Sequence, residues 1–190
     1  YVGYTDWPQM MMLTSDGRFA LLGKEDELKL WDLETGRFFW TFRWSEKVNI
    51  WTFKGYAGSK TSLVMTSDAQ FAVSGGSYDP NILVWDVKTG NCQRRLRGHA
   101  HEIRSLALTS DDRYLVSGSA DNRIRIWEFA TGKCVHTFQG LEKELTAVSI
   151  TPDNQGILIG GGKFLWLLDL QSGKYQRRYR GHKDDITAVM

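Results

Sequence analysis

Three residues of the chain have types and spacing that suggest hydrolysis. Ser117 opens the phrase "SGSADNRIRIWE", His99 precedes it within "RGHAHE", and Asp121 follows it. A hydroxyl, an imidazole to take its proton and a carboxylate to orient the ring are the parts of a nucleophilic triad. The same three types can also satisfy one another in a buried core, with Trp127 adding an indole N–H that needs an acceptor. Catalysis would further require a cleft and an oxyanion hole, and no nucleophile-elbow pattern GxSxG surrounds Ser117. The expectation is therefore a buried relay of His99, Ser117, Asp121 and Trp127, with no catalytic residue and no enzymatic activity. A metal site is expected to be absent too, since His99 is taken by the relay and His101 and Glu102 lack a third ligand nearby. No cofactor is expected.

Whichever role holds, the elements that position these residues are set by the rest of the chain. Its 190 residues are 42% hydrophobic and 24% charged, with a formal net charge of +2. That is enough apolar material for a sizeable core, and the charge is too small to demand nucleic acid or an anionic membrane as a partner. The apolar run "FLWLL" at residues 164–168 is far shorter than a membrane span. An intracellular, cytoplasmic setting is the expectation, with Cys92 and Cys134 as reduced thiols, because they occupy equivalent places in neighbouring repeats and lie beyond disulfide reach.

The repeat is explicit. "TSDGRFALL" at Thr14, "TSDAQFAVS" at Thr66, "TSDDRYLVS" at Thr109 and "TPDNQGILI" at Thr151 are spaced by 52, 43 and 42 residues. A second phrase follows each: "WDLETG", "WDVKTG", "WEFATG" and "LDLQSG". Gly3, Gly55, Gly98 and Gly140 precede the threonines at one fixed distance, and Gly181 heads "GHKDDITAVM". Runs such as "IRSLALT", "RYLVSG", "RIRIWE" and "KCVHTF" cluster β-formers between turn residues, so each unit reads as four short strands. Strands this short cannot bury both faces within one sheet, and neighbouring sheets must pack on each other.

Period, phrase order and internal offsets together resemble the WD-repeat family of β-propellers over the whole chain. The resemblance implies an all-β fold of four four-stranded antiparallel blades at about residues 8–43, 61–97, 103–138 and 145–180, with residues 186–190 as the first strand of a fifth. It also implies that the chain is a section of a larger ring of about seven blades, or completes its ring by association with a second copy. In this family the histidine of "GH", a second-strand serine or threonine, a turn aspartate and a third-strand tryptophan form a buried tetrad, which His99, Ser117, Asp121 and Trp127 match. Unit two keeps Ser74, Asp79 and Trp85 but has Tyr56 for histidine. Unit one keeps Trp31, with Tyr4 and Leu22 at the other places, and unit four has Leu141, Ile159 and Leu168.

The resemblance further implies a non-enzymatic scaffold that presents rim loops to other proteins. Trp44, Trp51 and Phe53 lie in the long loop of unit one, which either anchors a partner or folds back on the ring. Tyr78, His101 and Arg104 are expected on the same rim, where ordinary loop side chains would look the same. Alternatives within the class are a substrate receptor and the ligand-sensing region of a NACHT-type signalling ATPase. RNA binding through "QRRLRGH" and "QRRYRGH" is the alternative from another class. Charged edge strands explain those arginines without a ligand, and the two phrases belong to units that are not adjacent.

Overall fold

A computed structural model describes residues 10–14, 17–24, 27–43, 62–76, 79–89, 91–139 and 145–189. The described residues form four antiparallel four-stranded sheets, each consecutive in sequence. Blade one holds β1 (Met10–Leu13), β2 (Phe19–Lys24), β3 (Glu27–Asp32) and β4 (Arg37–Arg43); blade two holds β5 (Ser62–Met65), β6 (Phe71–Gly76), β7 (Asp79–Asp86) and β8 (Cys92–Leu96). Blade three holds β9 (Ile103–Leu108), β10 (Tyr114–Ser119), β11 (Ile124–Glu128) and β12 (Lys133–Phe138). Blade four holds β13 (Leu145–Ile150), β14 (Gly156–Gly161), β15 (Phe164–Asp169) and β16 (Tyr175–Arg180). Both cysteines are free.

Local chemistry explains the repeated phrases. The threonine closes the turn between the first and second strands: the hydroxyls of Thr66, Thr109 and Thr151 accept from the amides of Phe71, Tyr114 and Gly156 at 3.0, 3.0 and 2.8 Å. Three residues after each, the chain passes through positive φ at Ala69, Asp112 and Asn154. The aspartate after the third-strand position does the same for the next turn. Asp86 Oδ1 accepts from the Thr89 amide at 2.7 Å, and Asp169 Oδ1 from that of Ser172 at 2.7 Å. Glycine ends these turns at Gly132 and Gly173 with φ of 72° and 66°, a conformation that side chains resist. A bulge recurs in every third-to-fourth strand pair just before the tryptophan position, at Leu30/Trp31, Val84/Trp85, Ile126/Trp127 and Leu167/Leu168.

The apolar cores lie between sheets. Val73, Ile82 and Val84 of blade two meet Ile103, Leu106, Leu115, Trp127 and Phe129 of blade three. Val116, Ile124 and Ile126 of blade three meet Leu145, Ile157, Ile159, Trp166 and Leu168 of blade four. Leu30 of blade one joins Leu63, Met65, Leu83 and Trp85 of blade two. Close approach sets the seam: a Cβ built on Gly75 would stand 2.6 Å from Ile103 at the head of blade three, and Gly118 meets Leu145 at the head of blade four in the same way.

Residues 186–189 hold no strand, in contrast to the expectation for the start of a fifth blade. They are nonetheless seated where a leading strand belongs. The Ile186 amide donates to Gly162 O at 2.7 Å, its carbonyl accepts from Thr146 Oγ1 at 2.6 Å, and its side chain lies 2.9 Å from the Cβ position of Gly160. A leading strand takes its ladder from the second strand of its own blade, and these contacts to blade four are not a ladder.

Candidate functional site

The loop after β8 brings His99 beneath the third sheet, while β10 supplies Ser117, the β10–β11 turn supplies Asp121 and β11 supplies Trp127. His99 Nδ1 lies 2.9 Å from Asp121 Oδ2, His99 Nε2 lies 2.8 Å from Ser117 Oγ, and Trp127 Nε1 donates to Ser117 Oγ at 2.8 Å. Gly98 leaves room for this, because a Cβ there would come within 3.2 Å of the indole. Asp121 also accepts from the amides of Ala100 and Arg123 at 3.0 Å each.

One proton arrangement satisfies every group. The indole N–H donates to Ser117, the serine O–H donates to Nε2, and Nδ1–H donates to the Asp121 carboxylate, so His99 is neutral. The His99 side chain is fully covered and that of Asp121 is 4% exposed. The serine is therefore turned inward with no approach for a substrate, which is the reverse of what a nucleophile needs.

Burial pushes the His99 imidazole below its ordinary range, against the opposing pull of Asp121. Burial alone would raise the Asp121 carboxyl, but the Ala100 amide and His99 outweigh it and hold the group below the usual carboxylate value. For His99 the unfolded chain binds its proton more readily than the folded one. Its contribution to stability is whole above about pH 6.5 and is lost as pH falls from there toward the depressed folded value. Asp121 works in the same sense further down: its contribution is present above about pH 3.9 and is lost as pH falls through its folded value. Thermal melts between about pH 8 and 5 should show the first decline, and His99→Gln should flatten it whatever its effect on stability at neutral pH. An unchanged slope in that variant would place the pH dependence elsewhere.

Blade two keeps half of the relay, with Trp85 Nε1 donating to Ser74 Oγ at 2.9 Å. In blade four the matching Ile159 and Leu168 are buried and apolar.

Of the residues expected on the rim, Trp44, Trp51, Phe53 and Tyr78 lie outside the described residues. His101 is exposed, and its carbonyl is held by Ser119 Oγ at 2.9 Å. Arg104 is half-buried on β9, where Nη1 donates to Leu145 O of blade four at 3.4 Å and Nε lies 3.7 Å from Glu102. The structure thus gives Arg104 a tie between blades. The described residues gather no group of three His, Cys, Asp or Glu for a metal, and no helix long and apolar enough to cross a membrane.

Side chains with no such role assigned from the sequence join the blades along the outer edge and the turns. Arg94 Nη1 of β8 donates to the carbonyls of Phe129 and Ala130 in blade three at 2.7 and 2.6 Å. His136 Nε2 of β12 reaches Gln171 O in blade four at 2.9 Å. Asp112 accepts from the Ser67 amide at 2.9 Å and its hydroxyl at 2.6 Å, and Asn154 Oδ1 accepts from the Ser110 amide at 3.0 Å. The repeat carries their signal: Arg94 and His136 stand at one distance before Gly98 and Gly140, and Asp112 and Asn154 at one distance after their threonines.

Known proteins resemble this chain. The family described as "WD domain, G-beta repeat" matches residues 47–86 and 90–128. The small ribosomal subunit protein RACK1 of Schizosaccharomyces pombe is 37% identical over 75 residues, covering 37% of this chain and 24% of that protein. The nuclear distribution protein PAC1 of Coccidioides posadasii is 33% identical over 130 residues, covering 63% of this chain and 27% of that protein. The chain thus spans about a quarter of the length of these relatives. The solved structure titled "Structure of U3-55K" superposes with a TM-score of 0.74 at 19% identity, over 97% of this chain and 55% of that one. With two units matched to the family, the same phrases in the other two and four sheets on one plan, the chain resembles the WD-repeat family and folds as blades of a WD-repeat β-propeller.

Proposed function

We propose that the chain is a non-enzymatic scaffold whose propeller rim is presented to other proteins, and that its four blades are a section of a larger ring. The observation that carries the first reading is the inward, saturated relay at Ser117. The one serine, histidine and carboxylate grouping with hydrolytic potential in the sequence is spent on holding blade three together. The relatives support the same reading, since they share the repeat with this chain. The exposed His101 and the Arg104–Glu102 pair offer polar groups able to meet a partner, and Trp44 and Trp51 are the proposed aromatic anchors.

Capture from cell extract is the test. The intact chain should retain a partner protein, and replacing Trp44 and Trp51 by alanine should release it while the melting temperature holds. Capture that survives these replacements overturns the anchor assignment. A hydrolytic activity abolished by Ser117→Ala without a change in melting overturns the scaffold reading itself.

A further inference from the structure

Three successive blades present the same face toward the next blade, and only two of those faces are covered. On blade two, Arg94 stands across from Val84, and Leu96 from Ile82. On blade three, His136 stands across from Ile126, and Phe138 from Ile124. On blade four, Arg177 stands across from Leu167, and Tyr179 from Leu165. Ile82, Val84, Ile124 and Ile126 are at most 1% exposed, because a following blade lies on them. Leu165 and Leu167 are only half-buried, and Tyr179 is 39% exposed.

The polar side of the seam repeats in step. Arg94 and His136 each donate to main-chain carbonyls in the third-to-fourth strand turn of the following blade, at Phe129 and Ala130 and at Gln171. Arg177 occupies the third such position. It is exposed, and among the described residues its guanidinium meets only the Tyr179 ring, 5.9 Å away. The clasp at the turns cannot serve this face as it serves the other two. Ser67 donates its amide and hydroxyl to Asp112, Ser110 donates its amide to Asn154 and accepts from the Asn154 side-chain amide on its hydroxyl, and Pro152 stands at their place with neither group. The head of a following blade is already marked, since residues 186–189 lie on Gly160 as Ile103 lies on Gly75 and Leu145 on Gly118.

The geometry points to Arg177 as the docking residue through which blade four receives a fifth blade led by residues 186–189, donating to carbonyls of that blade's third-to-fourth strand turn. This rests on the reading of the four blades as a section of a larger ring. The occupant is a blade of this same fold because the face continues two seams whose occupants are such blades. A protonated guanidinium aimed at two carbonyls is a charge-assisted contact, stronger than the imidazole contact of the preceding seam. Arg177 is thus the specificity-determining group of a surface otherwise made of Leu165, Leu167 and Tyr179.

The sequence itself supplies the probe. "ITAVM" at residues 186–190 aligns with "LTAVS" at residues 145–149, so repeating residues 150–180 after Met190 builds a fifth blade whose turn carries a second copy of the Gln171 carbonyl. In this extended chain the amides of residues 186–189 should become protected from hydrogen exchange. Arg177→Ala should lower its melting temperature by several degrees and leave the 190-residue chain unmoved, while Arg177→His should restore most of the loss, as the example of His136 requires. Protection with no effect of Arg177→Ala would sink the assignment of Arg177 and leave the larger ring standing. Absence of protection would sink both. Concentration-dependent dimers of the 190-residue chain that Arg177→Ala dissolves would make a second copy the occupant and overturn the fifth blade.

Discussion

Trp127→Ala should lower the stability of the chain by about 3 to 5 kcal/mol, a large fraction of what a domain of this kind has to lose. Trp127 is 2% exposed and is the largest fully buried side chain described. Its ring fills the seam between blades two and three, against Val73, Ile82 and Val84, and its N–H is the donor that anchors Ser117. Removal leaves a cavity between two sheets whose backbones are fixed by their own ladders, so little collapse can offset it. Urea denaturation of the purified chain would measure the loss. Trp127→Phe separates the two contributions: most of the volume stays while the hydrogen bond, worth about 1 kcal/mol net, goes. A loss below about 1 kcal/mol for the alanine variant would mean that the seam is not a packed core.

The second large effect is a contrast between equivalent positions. Ile126→Ala should cost about 2 to 5 kcal/mol, because the side chain is fully buried under blade four. Leu167→Ala removes a residue of similar size from the same place one blade later. It should cost well under half as much in the isolated chain, since Leu167 is only half-buried there. Denaturant midpoints of the two variants measured side by side decide it, and equal losses would mean that the face of blade four is already covered.

Much of this architecture was legible in the sequence because its causes are local. A threonine that closes a turn five residues long, an acidic residue that caps the next (aspartate in three units, Glu128 in the third) and a glycine that ends it must recur at fixed offsets, and they do. The tetrad was legible for the same reason, since His99, Ser117, Asp121 and Trp127 lie within one repeat. What stayed hidden depends on how one sheet is set against the next. Nothing near Arg94 announces that it reaches the Phe129 and Ala130 carbonyls, and the arginine phrases read only as charged edge strands. Asp112 looks like a turn residue until the Ser67 amide is found against it. The missing strand at residues 186–189 was hidden likewise, since strand-forming residues acquire a ladder only from a neighbour.

The placement of the cores between the sheets determines how the molecule comes apart. A sheet here has almost nothing apolar to call its own, so cohesion resides in the seams, and the chain behaves as a line of nearest-neighbour couplings rather than as one cooperative block. Such a line frays: an outer member is held from one side and an inner member from two. In the isolated 190-residue chain, loss of order should therefore travel inward from the uncovered face of blade four, and a lesion at an inner seam, unlike one at that face, uncouples everything beyond it.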